Sequence, residues 1–174
     1  MLLSEDKYRE PSFVLLNKES GVEIRQYSSY VIAKTTIDLK QNQSDNNMFR
    51  TLAAYIFGKN KKKQTIPMTA PVTTFKDNDS YSMFFYMLDS DNIADLPDPI
   101  DQNIVFEKID LGKCAVISFS WYINDRKIKK YKKQLEKFLL DYGYTQVSPF
   151  MINQYNPPWT LPFLRRNEIL VGIK

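Results

Sequence analysis

Apolar and polar residues alternate along much of the chain with a period of two, which is typical of half-buried strands. This alternation predicts three strands before the first helix, at residues 13–16, 22–27 and 30–37. Aromatic and β-branched residues predict three more strands, at 81–88, 104–110 and 113–121. Residues 144–155 and 167–174 supply two further predicted strands near the end of the chain.

Two stretches change to the 3.6-residue period of an amphipathic helix. In the first, Phe49, Leu52, Ala53 and Ile56 share one face; Ser44 or Asp45 can cap its start, and Gly58 its end. The second is predicted over Asp125–Tyr142, with Gly143 as its stop. The residues of its apolar stripe are Ile128, Tyr131, Leu135, Phe138, Leu139 and Tyr142.

The segment TIPMTAPVTT, residues 65–74, alternates like a strand but contains two prolines. Proline cannot donate a hydrogen bond to a sheet ladder. Because Pro67 and Pro71 are four residues apart, both missing donors fall along the same side of the strand. The pattern therefore predicts a sheet edge, a bulge or a barrel seam, where a splayed sheet leaves a cleft.

The order strand–strand–helix–strand–strand occurs twice after one leading strand. Two helices are too few to cover both faces of a parallel sheet, so the arrangement should be mostly antiparallel. The predicted class is α+β: a distorted, mostly antiparallel β-barrel of two pseudo-symmetric ββαββ halves, flanked by two α-helices. We expect residues 1–174 to form one domain, with half one at about 11–90, a loop at 91–102 and half two at about 103–174.

Composition removes several classes of function. The 174 residues contain no histidine, which excludes Ser–His and Cys–His nucleophile pairs within the chain. The single cysteine, Cys114, excludes an internal disulfide. The net charge of +4 arises largely from basic runs at 59–63 and 126–137, which we interpret as solvated faces without a nucleic-acid role. No apolar run predicts a membrane span or a signal peptide, so a cytoplasmic location is the default expectation.

Four stretches resemble the SOUL haem-binding protein family. They are GVEIRQYSSYVIAKT at 21–35, YIFGKN at 55–60, IPMTAPV at 66–72 and YNPPWTLPFLRRNEILV at 155–171. The resemblance runs from about residue 11 to residue 174, and MTAPV and RRNE are its most specific parts. Family members are non-enzymatic binders of haem or another tetrapyrrole, and are usually soluble monomers.

This resemblance implies a carrier, buffer or sensor for a small planar hydrophobic ligand, with haem or another tetrapyrrole as a cofactor that folding does not require. The ligand would lie in a shallow apolar cleft between the first helix and the loop before the last strand. Carried over position by position, the cleft residues are Asn46, Phe49, Arg50, Ala53, Ala54, Trp159, Thr160 and Leu161. No catalytic or metal-binding residues are implied.

The chain departs from the family pattern in its charges and in its iron ligand. Some members carry basic side chains at the positions of Asn46, Ala54 and Thr160, where they could pair with haem propionates. Here Arg50, Arg165 and Arg166 are the available replacements. Without histidine, a haem iron would be unligated or would use a methionine, tyrosine or cysteine; the named candidates are Met48, Met68, Tyr55 and Cys114.

A second function is also consistent with these residues. The related gyrase-inhibitor-like domains share the doubled architecture and bind drugs or partner proteins. In that alternative the chain is an effector-binding or protein-interaction module for a different hydrophobic or cationic ligand. Glu168 would then line the cavity as a carboxylate for a cation, whereas its simpler interpretation is a surface ion pair with Arg165 or Arg166.

Overall fold

The computed structural model describes residues 8–41 and 47–174 of the chain. The two helix caps proposed at Ser44 and Asp45, and the predicted cleft residue Asn46, lie outside the described residues. The strands are β1 (Phe13–Glu19), β2 (Val22–Tyr27), β3 (Ser29–Asp38), β4 (Val72–Asp77), β5 (Ser80–Tyr86), β6 (Val105–Asp110), β7 (Lys113–Phe119), β8 (Met151–Gln154) and β9 (Asn167–Gly172). The helices are α1 (Met48–Ile56) and α2 (Asp125–Tyr142).

The nine strands found in residues 8–41 and 47–174 all belong to one sheet with the order β1-β2-β7-β9-β8-β4-β5-β3-β6. Every ladder in it is antiparallel. The sheet curls so that the start of β1 comes close to β3. The contact is visible in a hydrogen bond, which the Tyr30 hydroxyl of β3 donates to the carbonyl of Ser12, just before β1, at 2.8 Å. The predicted α+β class, the mostly antiparallel barrel-like sheet and the two flanking helices are confirmed, and the distorted barrel takes the form of a curled half-barrel.

Apart from β1, which lies at one edge and pairs with β2, the sheet consists of two equivalent four-strand units, and each takes one strand from the other half of the sequence. The strands β4, β5, β3 and β6 form the unit under α1, and β8, β9, β7 and β2 form the unit under α2. Thus β6 joins the unit of the first helix, and β2 joins that of the second. The β4–β8 ladder, which pairs Thr73 with Asn153, connects the two units directly.

Alternating side chains give the sheet two buried faces. On the outer face, α1 packs on a cluster that contains Val31, Leu52 and Phe85, and α2 packs on another that contains Ile24, Leu135 and Ile169. The inner face of the curl holds a third cluster, formed by Tyr27, Ile32, Phe84, Tyr86, Leu111, Cys114, Val116 and Leu170. Cys114 is therefore a buried free thiol.

Helix α2 has the bounds that its apolar stripe and Gly143 predict. Asn124 caps its start, since the side-chain oxygen accepts from the Lys127 amide at 2.9 Å. Gly143 ends it with a φ of +72°, a left-handed conformation that glycine adopts without steric cost. Helix α1 is shorter, and Gly58 follows its last turn with a φ of +105°.

The proline-bearing segment is a strand only in its last part. Residues 65–71 make isolated bridges, Thr65 to Phe57 and Thr69 to Arg9, and the regular ladder of β4 starts at Val72. The expectation that this strand lies at an edge is therefore wrong, because β4 is central, between β8 and β5. Both prolines precede the ladder, so that β4 keeps all of its donors.

Candidate ligand-binding site

The exposed side of α1 has an apolar flank and a polar flank. Phe49 and Ala53 lie on the flank toward β5, where the Phe49 ring is 5.5 Å from that of Phe85, yet Phe49 remains about half exposed. Arg50 and Ala54 lie on the other flank and line one groove there. The four predicted helix residues therefore split between two neighbouring surfaces, because positions one residue apart in a helix differ by about 100°.

The register of the sheet places the start of the predicted loop near the apolar flank. Phe85 of β5 pairs with Val72 of β4, which pairs with Gln154, the last residue of β8. Direct partners in a ladder share a face, so these three residues form one row on the outer face. The strand spacing puts β8 roughly 10 Å from β5, and the loop at 155–166 begins immediately after Gln154. Val72 and Gln154 thus lie on the outer face, between the strand beneath Phe49 and the start of this loop.

The loop at 155–166 presents large apolar side chains to solvent. Trp159 is 78% exposed, and Leu161 is also exposed. Thr160, between them, is buried, and its hydroxyl has no hydrogen-bond partner among the described residues. Arg165 holds the loop by donating from its side chain to the carbonyls of Thr160, at 3.1 Å, and Pro158. The loop is therefore an ordered wall with an exposed indole and one unsatisfied hydroxyl.

The groove on the polar flank of α1 has a volume of about 360 Å³. It is lined by Asn47, Arg50, Thr51, Ala54, Tyr55, Lys59, Asp101, Asn103 and Ile104. Two cations, Arg50 and Lys59, therefore face the same groove. The basic run at 59–63 suggests a solvated face, so local sequence does not predict that Lys59 lies near Arg50. The available signal was the position of Lys59, five residues after Ala54 and just past the end of the helix.

A buried asparagine fixes the turn that carries Lys59. The side-chain amide of Asn60 donates to the carbonyls of Tyr55, at 3.0 Å, and Gln64, at 2.7 Å. Its oxygen accepts from the Gln64 amide at 3.0 Å. The amide of Lys59 donates to the Ala54 carbonyl at 2.9 Å. Asn60 is fully buried, so the turn after α1 has a defined position relative to the groove.

Three of the four named candidates for an iron ligand lie in the core. Met48, Tyr55 and Cys114 are almost completely buried. Tyr55 donates to the Pro97 carbonyl at 2.9 Å, and burial, with the Asp98 charge nearby, raises the pKa of Tyr55 to about 12. Burial also raises the pKa of the Cys114 thiol to about 12. Met68 is partly buried against the cluster beneath α1. These side chains are better suited to packing than to axial coordination.

Glu168 lies on the inner face and is fully buried, so the expectation of a surface ion pair is wrong. Its carboxylate accepts two hydrogen bonds from Arg25, Nη2 to Oε1 at 3.0 Å and Nη1 to Oε2 at 3.2 Å. The Tyr155 hydroxyl donates to Oε2 at 2.6 Å. Arg166 instead contacts Glu10, and the Arg165 guanidinium lies 4.6 Å from the centre of the Tyr122 ring.

The environment of Arg25 completes this inner cluster. Its Nε donates to Glu23 at 2.8 Å, and its guanidinium lies 4.2 Å from the centre of the Phe13 ring. Burial alone would lower the pKa of Arg25, but the hydrogen bonds and charge of Glu168 outweigh it and raise the pKa. Burial beside Glu168 raises the pKa of Tyr155 as well. Arg25 thus occupies the position that a cationic ligand of Glu168 would need.

Solved structures share this fold at low sequence identity. A structure described as a hydrolase from Listeria innocua has a TM-score of 0.66 and 9% identity, covering 91% of this chain and 94% of that one. The EcmrR C-terminal domain has a TM-score of 0.65 and 10% identity, covering 88% and 96%. SAV2435 bound to tetraphenylphosphonium has a TM-score of 0.52 and 15% identity, covering 88% and 93%. These likenesses show the fold alone.

Comparisons with curated sequences and with family models bear on identity, as does the character of the two helices. No curated protein sequence matches the chain significantly. Neither helix in the described ranges combines the length and apolar character that a membrane crossing requires. The family model described as SOUL heme-binding protein matches residues 8–172, which is nearly the whole sequence. Together with the nine-stranded antiparallel sheet and its two helices, this match shows that the chain belongs to the SOUL heme-binding protein family.

Proposed function

We propose that the protein binds a tetrapyrrole in the cleft between the apolar flank of α1 and the loop at 155–166, without catalysis. The observation that carries this proposal is the pair of exposed aromatic side chains, Phe49 on α1 and Trp159 in the loop, whose elements are joined by one row of sheet residues from β5 to the end of β8. A flat apolar ligand would cover both rings and remove their surface from water. Membership in a haem-binding family supports this ligand class.

Charges beside the cleft suit the carboxylates of such a ligand. Arg50 is exposed on the polar flank of α1, next to the apolar flank, and Lys59 faces the same groove. A guanidinium or ammonium group at the rim would form charge-assisted hydrogen bonds with a propionate. Bound haem would supply its iron chemistry, while the protein's own residues would bury the ring and fix its carboxylates.

The burial of Met48, Tyr55 and Cys114 leads to a specific expectation about the iron of a bound haem. With these groups in the core, affinity should come from the ring and the carboxylates rather than from iron coordination. Haemin and metal-free protoporphyrin should therefore bind with dissociation constants within about threefold of each other, which is less than 1 kcal/mol. Absorption titration of haemin, and fluorescence titration of protoporphyrin, would measure both.

Substitutions locate the ring on one flank of α1. Arg50→Glu and Trp159→Ala should each weaken binding at least about fivefold, whereas the exposed controls Lys76→Glu and Leu140→Ala should leave it unchanged. A greater loss from Lys59→Glu than from Trp159→Ala would place the ring in the polar groove instead. Saturable binding weaker than about 100 μM, or no loss in Arg50→Glu and Trp159→Ala, would refute the proposal.

A further inference from the structure

Two neighbouring loops at one end of the sheet expose large apolar side chains outside the proposed cleft. The first, at 120–124, joins β7 to α2 and carries Trp121 and Tyr122. The second is the loop at 155–166, whose far end carries Phe163 and Leu164. All four side chains are more than half exposed. We refer to these four residues as the apolar tip.

Specific contacts hold the two loops together. The Trp121 amide donates to the Pro162 carbonyl at 2.9 Å. The side chain of Asn167 donates to the Trp121 carbonyl at 2.8 Å, and the Arg165 guanidinium stacks on the Tyr122 ring. The apolar tip is therefore one surface on a fixed backbone rather than four unrelated side chains.

The apolar tip exposes more apolar area than a single surface residue does. Large side chains bury about 150–250 Å² each when fully covered, so four that are more than half exposed present roughly 400 Å². This is within the range of about 300–600 Å² for the largest apolar patch on a typical monomer, which is often functional. Tryptophan and tyrosine, two of its four residues, are the residue types that concentrate where water meets lipid.

Positive charge lies directly beside the apolar tip. The first nine residues of α2, at 125–133, contain six basic residues and one acid, Asp125. Lys127 donates from Nζ to the Tyr122 carbonyl at 3.0 Å, so the first turn of the helix contacts the loop. Within the described part of the chain, none of these six cations has an ion-pair partner. The helix dipole adds further positive potential at this end.

We infer that the apolar tip and the start of α2 form a binding surface for an anionic membrane. The four side chains would enter the headgroup region while Arg126, Lys127 and Lys129 contact anionic lipids. A second copy of the chain fits less well, because its equivalent surface carries the same positive charge. A nucleic acid would satisfy the cations but would leave Phe163 and Leu164 without an apolar environment.

Vesicle binding by the full chain tests this inference. Both tryptophans of the protein lie in these loops, so intrinsic fluorescence reports directly on insertion. With vesicles of phosphatidylcholine containing about 30% phosphatidylserine, at about 0.1 M salt, we expect co-sedimentation and a blue shift of the emission. Vesicles of phosphatidylcholine alone should bind at least about tenfold more weakly.

Matched pairs of variants separate this surface from general stickiness. Phe163→Ser with Leu164→Ser, and Arg126→Glu with Lys129→Glu, should each weaken partitioning at least about tenfold. Two controls change equally exposed residues elsewhere, namely Phe57→Ser with Leu140→Ser, and Lys62→Glu with Lys76→Glu; partitioning should stay within about twofold. Circular dichroism checks the fold of each variant. If the double variant at Phe163 and Leu164 fails to fold, the single variant Leu164→Ser replaces it.

Three results would overturn the inference. The first is the absence of wild-type binding to the anionic vesicles. The second is an equal loss of binding in the test pairs and the control pairs. The third is binding to a single-stranded oligonucleotide without binding to vesicles, which would assign the basic start of α2 to nucleic acid. Haem titration of the variants in the apolar tip keeps this outcome distinct from the proposed tetrapyrrole cleft.

Discussion

The guanidinium of Arg25 and the carboxylate of Glu168 form a two-point ion pair inside the curl of the sheet, although 143 residues separate them in the chain. Arg25 lies on β2 and Glu168 on β9, with β7 between them. Both side chains are almost completely buried. Each charge therefore depends on the other, because neither has access to bulk water.

Removing one member of this pair should destabilise the protein strongly. Arg25→Met leaves Glu168 buried without its cation, and we expect a loss of about 3–5 kcal/mol in the free energy of unfolding. The double variant Arg25→Met with Glu168→Leu should recover much of that loss, since it removes both charges. Urea denaturation measures all three proteins.

The exposed pair of Lys137 and Asp141 provides the control for this experiment. Lys137→Met should change the free energy of unfolding by less than about 0.5 kcal/mol, because water screens an exposed pair on a helix. Equal effects of Arg25→Met and Lys137→Met would contradict the buried-pair interpretation.

Glu23 should make stability sensitive to acid. Its burial alone would raise the pKa, but hydrogen bonds from Arg25 and Lys18 outweigh burial and hold the pKa of Glu23 below its ordinary value of 4.5. A lowered folded pKa stabilises the protein above the unfolded pKa, and this stabilisation is lost as the pH falls through the folded value. Thermal unfolding between pH 7 and pH 3 should therefore show a smaller decline in Glu23→Gln than in the wild type. An unchanged slope would exclude this contribution.

Cys114 should be chemically inert in the folded protein. Its thiol is buried and donates to the Leu111 carbonyl at 3.2 Å, and burial raises its pKa to about 12. Relative to a free thiol, the thiolate fraction at pH 8 falls roughly a thousandfold. Reaction with a disulfide reagent should therefore be slow in buffer and fast in urea. Rapid labelling of the native protein would show that this part of the inner face opens.

Two leucines of α2 should differ sharply in their contribution to stability. Leu135 is fully buried on the side of α2 that packs on the sheet. Leu135→Ala should cost about 2–5 kcal/mol in the free energy of unfolding. Leu140 is 82% exposed on the same helix, and Leu140→Ala should stay within about 0.5 kcal/mol. Similar losses at both positions would mean that α2 does not pack through the observed stripe.

Local patterns predicted the helices better than the site. The stripe of α2 and Gly143 sufficed for its bounds, because period and stop signal are encoded within neighbouring residues. The division of Phe49 and Ala53 from Arg50 and Ala54 was missed. This division depends on which strands lie beneath each flank of α1. The order of the strands in the sheet is not evident from the sequence.

The buried partner of Glu168 could not be predicted from local sequence. Adjacent arginines at 165 and 166 suggested a surface pair, since charges close in the chain are usually close in space. On a strand, however, successive side chains point to opposite faces, and the face of Glu168 was set by distant pairing. The alternation of Glu23, Arg25 and Tyr27 with apolar neighbours on β2 was the only local signal of a polar inner face.

The exchange of β2 and β6 between the four-strand units has a consequence for how the chain is assembled. A fragment that ends in the loop at 91–102 lacks β6, and the complementary fragment lacks β2. Neither fragment can complete the sheet beneath its own helix, so each should remain largely unstructured alone. Mixed together, they should recover the native sheet in a bimolecular reaction whose rate depends on concentration. The protein is therefore suited to conversion into a split reporter at this loop.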